Sequence, residues 1–455
     1  MKRRITPILA LLLIAMLALS ACSLVAPMPP TASGSTATEE GEAASSDTAA
    51  EDIPAEDAAA IVLMGGPNLD DATLAAIAYC EDELDISVEF VAGPRSVTDR
   101  LALFLQFFGA GANNVDAMAI DMIWPGILAE HLVDLRPYMT DEQYNAHFES
   151  ILQNNTVNGA LIGIPLDTGA GMLYFRIDLL EKYGYDAGPE TWAELEEMAT
   201  TIQEGERAEG NEDFWGYVWQ GAAYEGLTCD ALEWQVSWNG GSIVEPDGTI
   251  SINNANAAAA LDMAAGWVGT ISPPGVTAYG EEDARGVWQG GNTAFMRNWP
   301  YAYSLGNMEG SPIAGKFGVS PLPTGGEEGR NAATLGGFQV SVSRYSDHVD
   351  TAANFAVCVT GYESQKIRAT QASYLPTINA LYEDADVLAA NPFFGELQDV
   401  VAGGGVARPS TVTSENYNEV STIYFTAVNR VLTGEQTGQD AVESIESQLQ
   451  DLLTN

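Results

Sequence analysis

Short apolar runs alternate with amphipathic stretches from Ala60 to Ile120, and few architectures accept that alternation. Ala60 to Met64 is apolar and stops at Gly65-Gly66-Pro67-Asn68, which reads as a strand followed by a turn. Asp70 and Asp71 then precede a helical pattern through Leu74, Ile77 and Ala78. Ile86 to Val91 alternates as a second strand, Arg100 to Phe108 reads as a helix, and Val115 to Ile120 as a buried strand. Strands alternating with helices predict a parallel α/β sheet. Ligands of such sheets bind beyond the carboxyl ends of the strands. Asn68, after the first strand, and Asp121, after the third, stand at such ends.

After Ile164-Pro165 the pattern changes. Thr191 and Glu194 form a capping box that opens a helix to Ile202, and Asn256 to Val268 is an Ala-rich helix. Pro, Gly and Asn punctuate residues 239–256, 272–275 and 321–331. Strand-like alternation returns at Phe338 to Val342, a helix follows at Thr351 to Val359, and the last stretch is mainly helical. A chain of 455 residues exceeds what one core usually serves. The expectation is two α/β lobes with the chain crossing between them more than once.

The amino terminus reads as an address. Lys2, Arg3 and Arg4 precede an uncharged apolar run from Ile5 to Ala21, the pattern of a secretory leader over residues 1–21. Leu19-Ser20-Ala21-Cys22 has the form of a bacterial lipobox, in which Cys22 is lipidated and becomes the new terminus. The alternative is an ordinary leader with an incidental cysteine. Residues 22–58 then form an acidic tether, with no Lys, Arg or aromatic residue after Cys22, too polar to offset the entropy of ordering. No later run of 18 apolar residues offers a membrane span.

Charge excludes several functions. The chain holds 18 Lys plus Arg against 63 Asp plus Glu. Setting aside the three cations of the leader and the eight acids of the tether leaves a net charge of −40 on residues 59–455. Nucleic acid needs a basic face, and anionic lipid repels an acidic one. His131, His147 and His348 are the only histidines and lie far apart, so no metal site is expected. Four cysteines without a CxxC exclude zinc ribbons and thioredoxin-like motifs.

Aromatic and polar residues cluster in irregular chain. Trp215 to Gln220 precedes Ala223-Tyr224-Glu225-Gly226, and Asn298-Trp299-Pro300-Tyr301 follows Gln289-Gly-Gly-Asn292. A sugar presents C–H faces that pack on rings and hydroxyls that need charged or amide partners, and loop Trp and Tyr beside Asp, Asn and Glu supply both. Trp215 and Trp219 read as core, whereas Trp299 reads as a strand-end turn residue. Among so many carboxylates a glycosidase-like pair arises by accident, and no spacing enforces one. GxSxG elbows and Walker loops are absent.

Seven stretches stand out together: Ala119-Ile-Asp-Met-Ile-Trp-Pro125, Met172 to Gly184, Phe214 to Gly221, Tyr224 to Asp230, Ile271-Ser-Pro-Pro274, Ala294-Phe-Met-Arg-Asn-Trp-Pro-Tyr301 and Ala333 to Gly337. Through them the chain, from about Ile61 onward, resembles the extracellular solute-binding lipoproteins of ABC sugar importers, in the branch near trehalose/maltose-binding proteins. The resemblance implies a two-lobed type II periplasmic-binding fold whose hinge segments let the lobes close over a sugar. Lobe one is expected at 59–165 plus 334–387, and lobe two at 168–330 plus 391–455. Asp121 matches a strand-end aspartate that bonds sugar hydroxyls, Trp299 a stacking ring followed by Tyr301, and Gly337 a backbone contact. Phe338 stands where relatives often carry Trp and lacks the indole N–H.

Other positions depart from the family pattern. Its loop acid aligns near Leu69, with Asp70 and Asp71 adjacent. Its aspartate aligns with Gly169, whereas here Asp167 is present. Its arginine near position 378 is Ile378, and Arg95 or Arg100 stands in for an arginine of the first lobe. Asn68, Asp70, Arg100, Asp121, Asp167, Tyr224, Trp299, Tyr301, Gly337 and Phe338 are therefore the expected ligand residues, while the identity of the sugar stays open.

The implied protein is a monomer without catalytic residues, cofactor or metal. It is lipid-anchored through Cys22 outside the cytoplasm and hands its sugar to membrane permease subunits. The rivals are a cell-surface glycoside hydrolase and a non-catalytic carbohydrate-binding surface lipoprotein. In the implied topology Cys80 and Cys358 share lobe one, and an exported protein can form disulfides. Pairing of these two and buried free thiols both remain open, while Cys229 is expected to be a buried thiol.

Overall fold

A computed structural model describes residues 59–326, 328–395 and 405–454. The leader, Cys22 and the tether lie outside the described residues. The strands, in chain order, are β1 (Ala59–Gly65), β2 (Ile86–Ala92), β3 (Ala117–Asp121), β4 (Thr156–Val157), β5 (Ala160–Leu161), β6 (Ile164–Pro165), β7 (Gly169–Ala170), β8 (Met172–Arg176), β9 (Trp215–Val218), β10 (Thr293–Asn298), β11 (Phe317–Ser320), β12 (Leu335–Gly336) and β13 (Phe338–Val342).

Two sheets organise two α/β lobes. The first has the order β2-β1-β3-β13-β6 and the second β11-β8-β10-β9. β1 runs parallel to β2 and β3, as the alternating pattern predicts. β13, whose direction the pattern left open, runs antiparallel to both β3 and β6, so the sheet is mixed. The reason is its route. β13 enters from the other sheet at the end where β3 stops, so Phe338 pairs with Asp121 and the strand must run back. In the second sheet β10 is parallel to β9 and antiparallel to β8, which is antiparallel to β11.

Alternation along the first sheet builds two apolar layers. Ile61 and Leu63 pack with Ile77, Val340 and Phe355 on one side, while Met64 packs with Phe104, Met118 and Ile120 on the other. The helices Asp71–Leu84 and Val349–Val359 lie in the former layer, where Cys80 and Cys358 form a disulfide with Cα atoms 5.9 Å apart. Cys229 is a buried free thiol. The second core is rich in indoles: Trp219 meets Trp234 edge to face at 4.9 Å, and Trp234 meets Trp267 at 5.9 Å. Trp219 is fully buried, but Trp215 is only partly so and lies under the Arg207 guanidinium, 4.4 Å away.

Local chemistry sets the helix ends. Asp70 accepts from the Thr73 amide, and Thr191 and Glu194 form a reciprocal capping box. That second helix runs on to Ala208, past the expected Ile202, because Gln203 is buried and bonds both Gly216 N and Thr270 O. No helix among the described residues is long and apolar enough to cross a membrane.

The chain passes between the sheets at β7 and β12, which pair with each other as Leu335↔Ala170 and Gly336↔Gly169. A third segment runs beside them through the bridge Thr334↔Val406. Tyr417 then packs in the first lobe's core although its helix packs mainly on the second, and Leu375, Ile378 and Val387 pack with Met172 and Met296 of the second sheet.

Candidate functional site

The strand ends of the first sheet face the β7/β12 crossing, and there the acidic chain gathers its buried cations. Asp121 Oδ1, at the end of β3, accepts from the Ile123 amide at 3.2 Å and from Arg408 Nη2 at 3.1 Å. Arg408 Nη1 donates to Glu225 Oε1 at 2.8 Å, at the start of the helix Glu225–Ser237. Tyr417 and Ser421 donate hydroxyls to Glu225, each at 2.5 Å. One arginine thus bridges an acid of the first lobe and an acid of the second, with all three side chains nearly inaccessible.

A second cluster forms around Asp167, just beyond β6. Its Oδ1 accepts from the Phe338 amide at 3.1 Å and its Oδ2 from Arg368 Nη2 at 2.7 Å. Burial pushes the Asp167 carboxyl up, and Arg368 pulls against that shift. The Arg368 guanidinium lies 4.1 Å from the Tyr374 ring, and the Tyr374 hydroxyl donates to Asp70 Oδ2 at 2.8 Å. Asp70 therefore joins the site through a relay. Asn68 stands exposed in the turn after β1, away from these bonds.

The rings come from both lobes. Phe338 is half-buried and pairs with Asp121 in register. Arg100 lies 5.7 Å from its ring centroid. Gly337 has φ of +135°, and a Cβ there would fall 2.4 Å from the Asp167 carbonyl, so the turn into β13 requires glycine. Trp299 follows β10 and is half-buried. Tyr174 donates its hydroxyl to the Trp299 carbonyl at 2.7 Å, and the indole packs on Gly336 and Gly169 of the crossing pair.

Tyr301 donates to Glu282 Oε1 at 2.7 Å, and Glu282 is paired with Arg285. Tyr224 precedes the helix Glu225–Ser237, and burial, with the nearby Glu281 carboxylate, pushes its phenol well up. Tyr301 and Tyr224 thus sit on the second lobe's side, beside the helix Glu281–Gln289.

Arg100 is 4% exposed and donates only to the Pro94 carbonyl, at 3.3 and 3.2 Å. It makes no ion pair among the described residues. Burial lowers its pKa, while Asp121 from one lobe and Glu281 from the other pull it back up. The site therefore combines half-exposed ring faces, a guanidinium held by a backbone carbonyl and carboxylates already held by arginine. Ring faces and charge-assisted hydrogen bonds are the contacts that a neutral, polyhydroxylated molecule requires. No cluster of metal-binding side chains occurs among the described residues.

Sequence reasoning missed Arg408, Arg368 and Tyr374. It read Ile378 as a lost arginine, whereas Ile378 is a core residue and the site's cations arrive from other positions. The available signal was scarcity: in so acidic a chain, an arginine in a Pro- and Ser-flanked turn such as Ala407-Arg408-Pro409-Ser410 stands out.

Comparison with known proteins agrees with this geometry. The family described as bacterial extracellular solute-binding protein matches residues 66–366. A Deinococcus radiodurans protein named "Probable ABC transporter-binding protein" is 53% identical over 363 residues, covering 80% of this chain and 86% of that one. Among solved structures, maltose-bound T. maritima MalE3 is 39% identical with a TM-score of 0.81, covering 87% of this chain and all of that one. A Thermotoga lettingae solute-binding protein with bound α-D-tagatose shares the fold, at 21% identity and a TM-score of 0.77, covering 87% of this chain and all of that one.

Proposed function

Because the chain belongs to the bacterial extracellular solute-binding protein family, we propose that it captures a sugar between its lobes for an ABC importer. The sugar is a di- or oligosaccharide of the maltose, trehalose or related glucoside kind, and delivery is to membrane permease subunits. The observation that carries this reading is Arg100, a buried guanidinium that makes no ion pair among the described residues and lies 5.7 Å from the Phe338 ring centroid. A sugar hydroxyl gives it an acceptor beyond the Pro94 carbonyl, while Trp299 and Phe338 take the C–H faces. MalE3, with maltose bound, supports the glucoside assignment. Asp121, Asp167, Gly337, Tyr301 and Tyr224 complete the ligand set, with Asp70 acting through Tyr374. Lipid on Cys22 anchors the protein outside the cytoplasm.

A hydrolase reading needs two carboxyls free to share acid and base roles. Asp121 and Asp167 are instead each held by a buried arginine. Calorimetry with maltose, trehalose, maltotriose, tagatose and mannitol, run beside a product assay, tests the proposal. Saturable binding of a glucoside without turnover is expected. Binding of none of the glucosides, or release of monosaccharide, overturns it.

A further inference from the structure

A third buried charge cluster lies under the crossing and outside the ligand set. Arg297, the penultimate residue of β10, is 1% exposed. Its Nε and Nη2 bond Glu233 at 2.8 and 2.5 Å, its Nη1 bonds Gln220 Oε1 at 2.9 Å, and Asp230 Oδ2 lies 3.4 Å from Nε. Asp230 and Glu233 are fully buried, so three ionisable groups are withdrawn from water at one point. The function proposed above uses none of them.

The cluster touches two things that matter for binding. The Arg297 guanidinium covers one face of the Trp299 indole, 4.1 Å from the ring centroid. Glu233 Oε1 also accepts the amide of Thr334, next to β12, at 3.0 Å. Just past the other crossing strand, a Cβ at Gly171 would fall 2.0 Å from Glu233 Oε1 and 2.7 Å from Arg297 Nη2. The ion pair is therefore seated against both crossing strands and the ring at once. The ring in turn rests on Gly336, where a Cβ would come within 2.9 Å of it.

We infer that the Arg297–Glu233 pair is a positioning device that ties the plane of the Trp299 ring to the two crossing strands. A change at the crossing is thereby transmitted to the stacking face, and a ligand on that face bears on the crossing. A fork-shaped guanidinium suits this role, because it can bind a carboxylate edge-on while presenting its plane to a ring. Asp230 places a second buried acid beside the guanidinium, 3.4 Å from Nε. The inference rests on the reading of Trp299 as a ligand-stacking ring.

Glu233→Gln tests it by keeping the volume and removing the charged acceptor, and the first two measurements need no ligand. Hydrogen exchange of the intact protein should quicken at least tenfold in peptides spanning 333–338, while the helix Gly438–Thr454 is unchanged. Acrylamide quenching of the Trp299 fluorescence component, taken as parent minus Trp299→Phe, should increase. With maltose as probe, the dissociation constant should rise about tenfold.

Should Glu233→Gln fail to fold, Gly171→Ala displaces the pair from the crossing without altering charge and should give the same three changes. Unaltered exchange at 333–338, or an unaltered Trp299 component, overturns the inference. If the parent protein binds no maltose, the reading of the ligand fails separately, and the two ligand-free measurements still decide the positioning role.

Discussion

Arg408 shows how little of a buried site is written locally. It satisfies Asp121 and Glu225 from opposite lobes, so removing it leaves two carboxylates facing each other out of water. Breaking a buried pair in that way costs about 3–5 kcal/mol. Arg408→Met should therefore lower the free energy of denaturant unfolding by that order and abolish sugar binding, and a loss under about 1 kcal/mol would contradict the burial argument. The strand-end positions of Asp121, last in β3, and Trp299, just after β10, were legible because each lies within a motif. Arg408 and Arg368 were not, because their partners lie 287 and 201 residues away.

His147 carries the acid response at the same scale. It is 4% exposed, its Nδ1 lies 2.8 Å from Thr377 Oγ1, and burial lowers its pKa to about 4. The imidazole is neutral in the folded protein at pH values where the unfolded chain, near the ordinary 6.5, already binds a proton. Unfolding takes up that proton between pH 6.5 and about 4, so stability rises with pH across the window and falls on acidification. At about 1.4 kcal/mol per unit, the full loss is on the order of 3 kcal/mol. His147→Gln should flatten the stability curve over that window by a similar amount, whereas an identical slope in parent and variant would place the acid response elsewhere.

Secondary elements were largely readable. Capping by Asp70 and by Thr191 with Glu194, the alternation in β1, and the return of strand pattern at Phe338 all follow from side chains a few residues apart. Strand direction did not follow, because it depends on which side of the crossing the chain comes from. The crossing pair itself is only two residues per strand, too short for any periodicity. Its glycines have a specific task, since the Trp299 ring lies where a Gly336 side chain would be. Gly336→Ala should push the ring aside and weaken sugar binding at least tenfold. The lobe cores do not include this contact, so the unfolding midpoint should move by no more than a few degrees. Full affinity in the variant would separate Trp299 from the binding surface.

At the scale of the molecule, the distribution of restraints argues for movement between the lobes. The disulfide joins two helices of one lobe and leaves the crossing free. The crossing strands pair over two residues each, whereas each lobe has its own sheet and its own large core. Asp121 of one lobe and Glu281 of the other both raise the pKa of the buried Arg100 guanidinium against its desolvation. A ligand favours the closed arrangement only through contacts that the open one lacks. Trp299 and Arg100 approach the site from different lobes and would supply them. Small-angle scattering should therefore show a smaller radius of gyration when the bound glucoside is added, and Trp299→Ala should remove that compaction at the same sugar concentration. An unchanged profile at saturation would mean that binding does not close the lobes, and the coupling of ring to crossing would then have to act without domain movement.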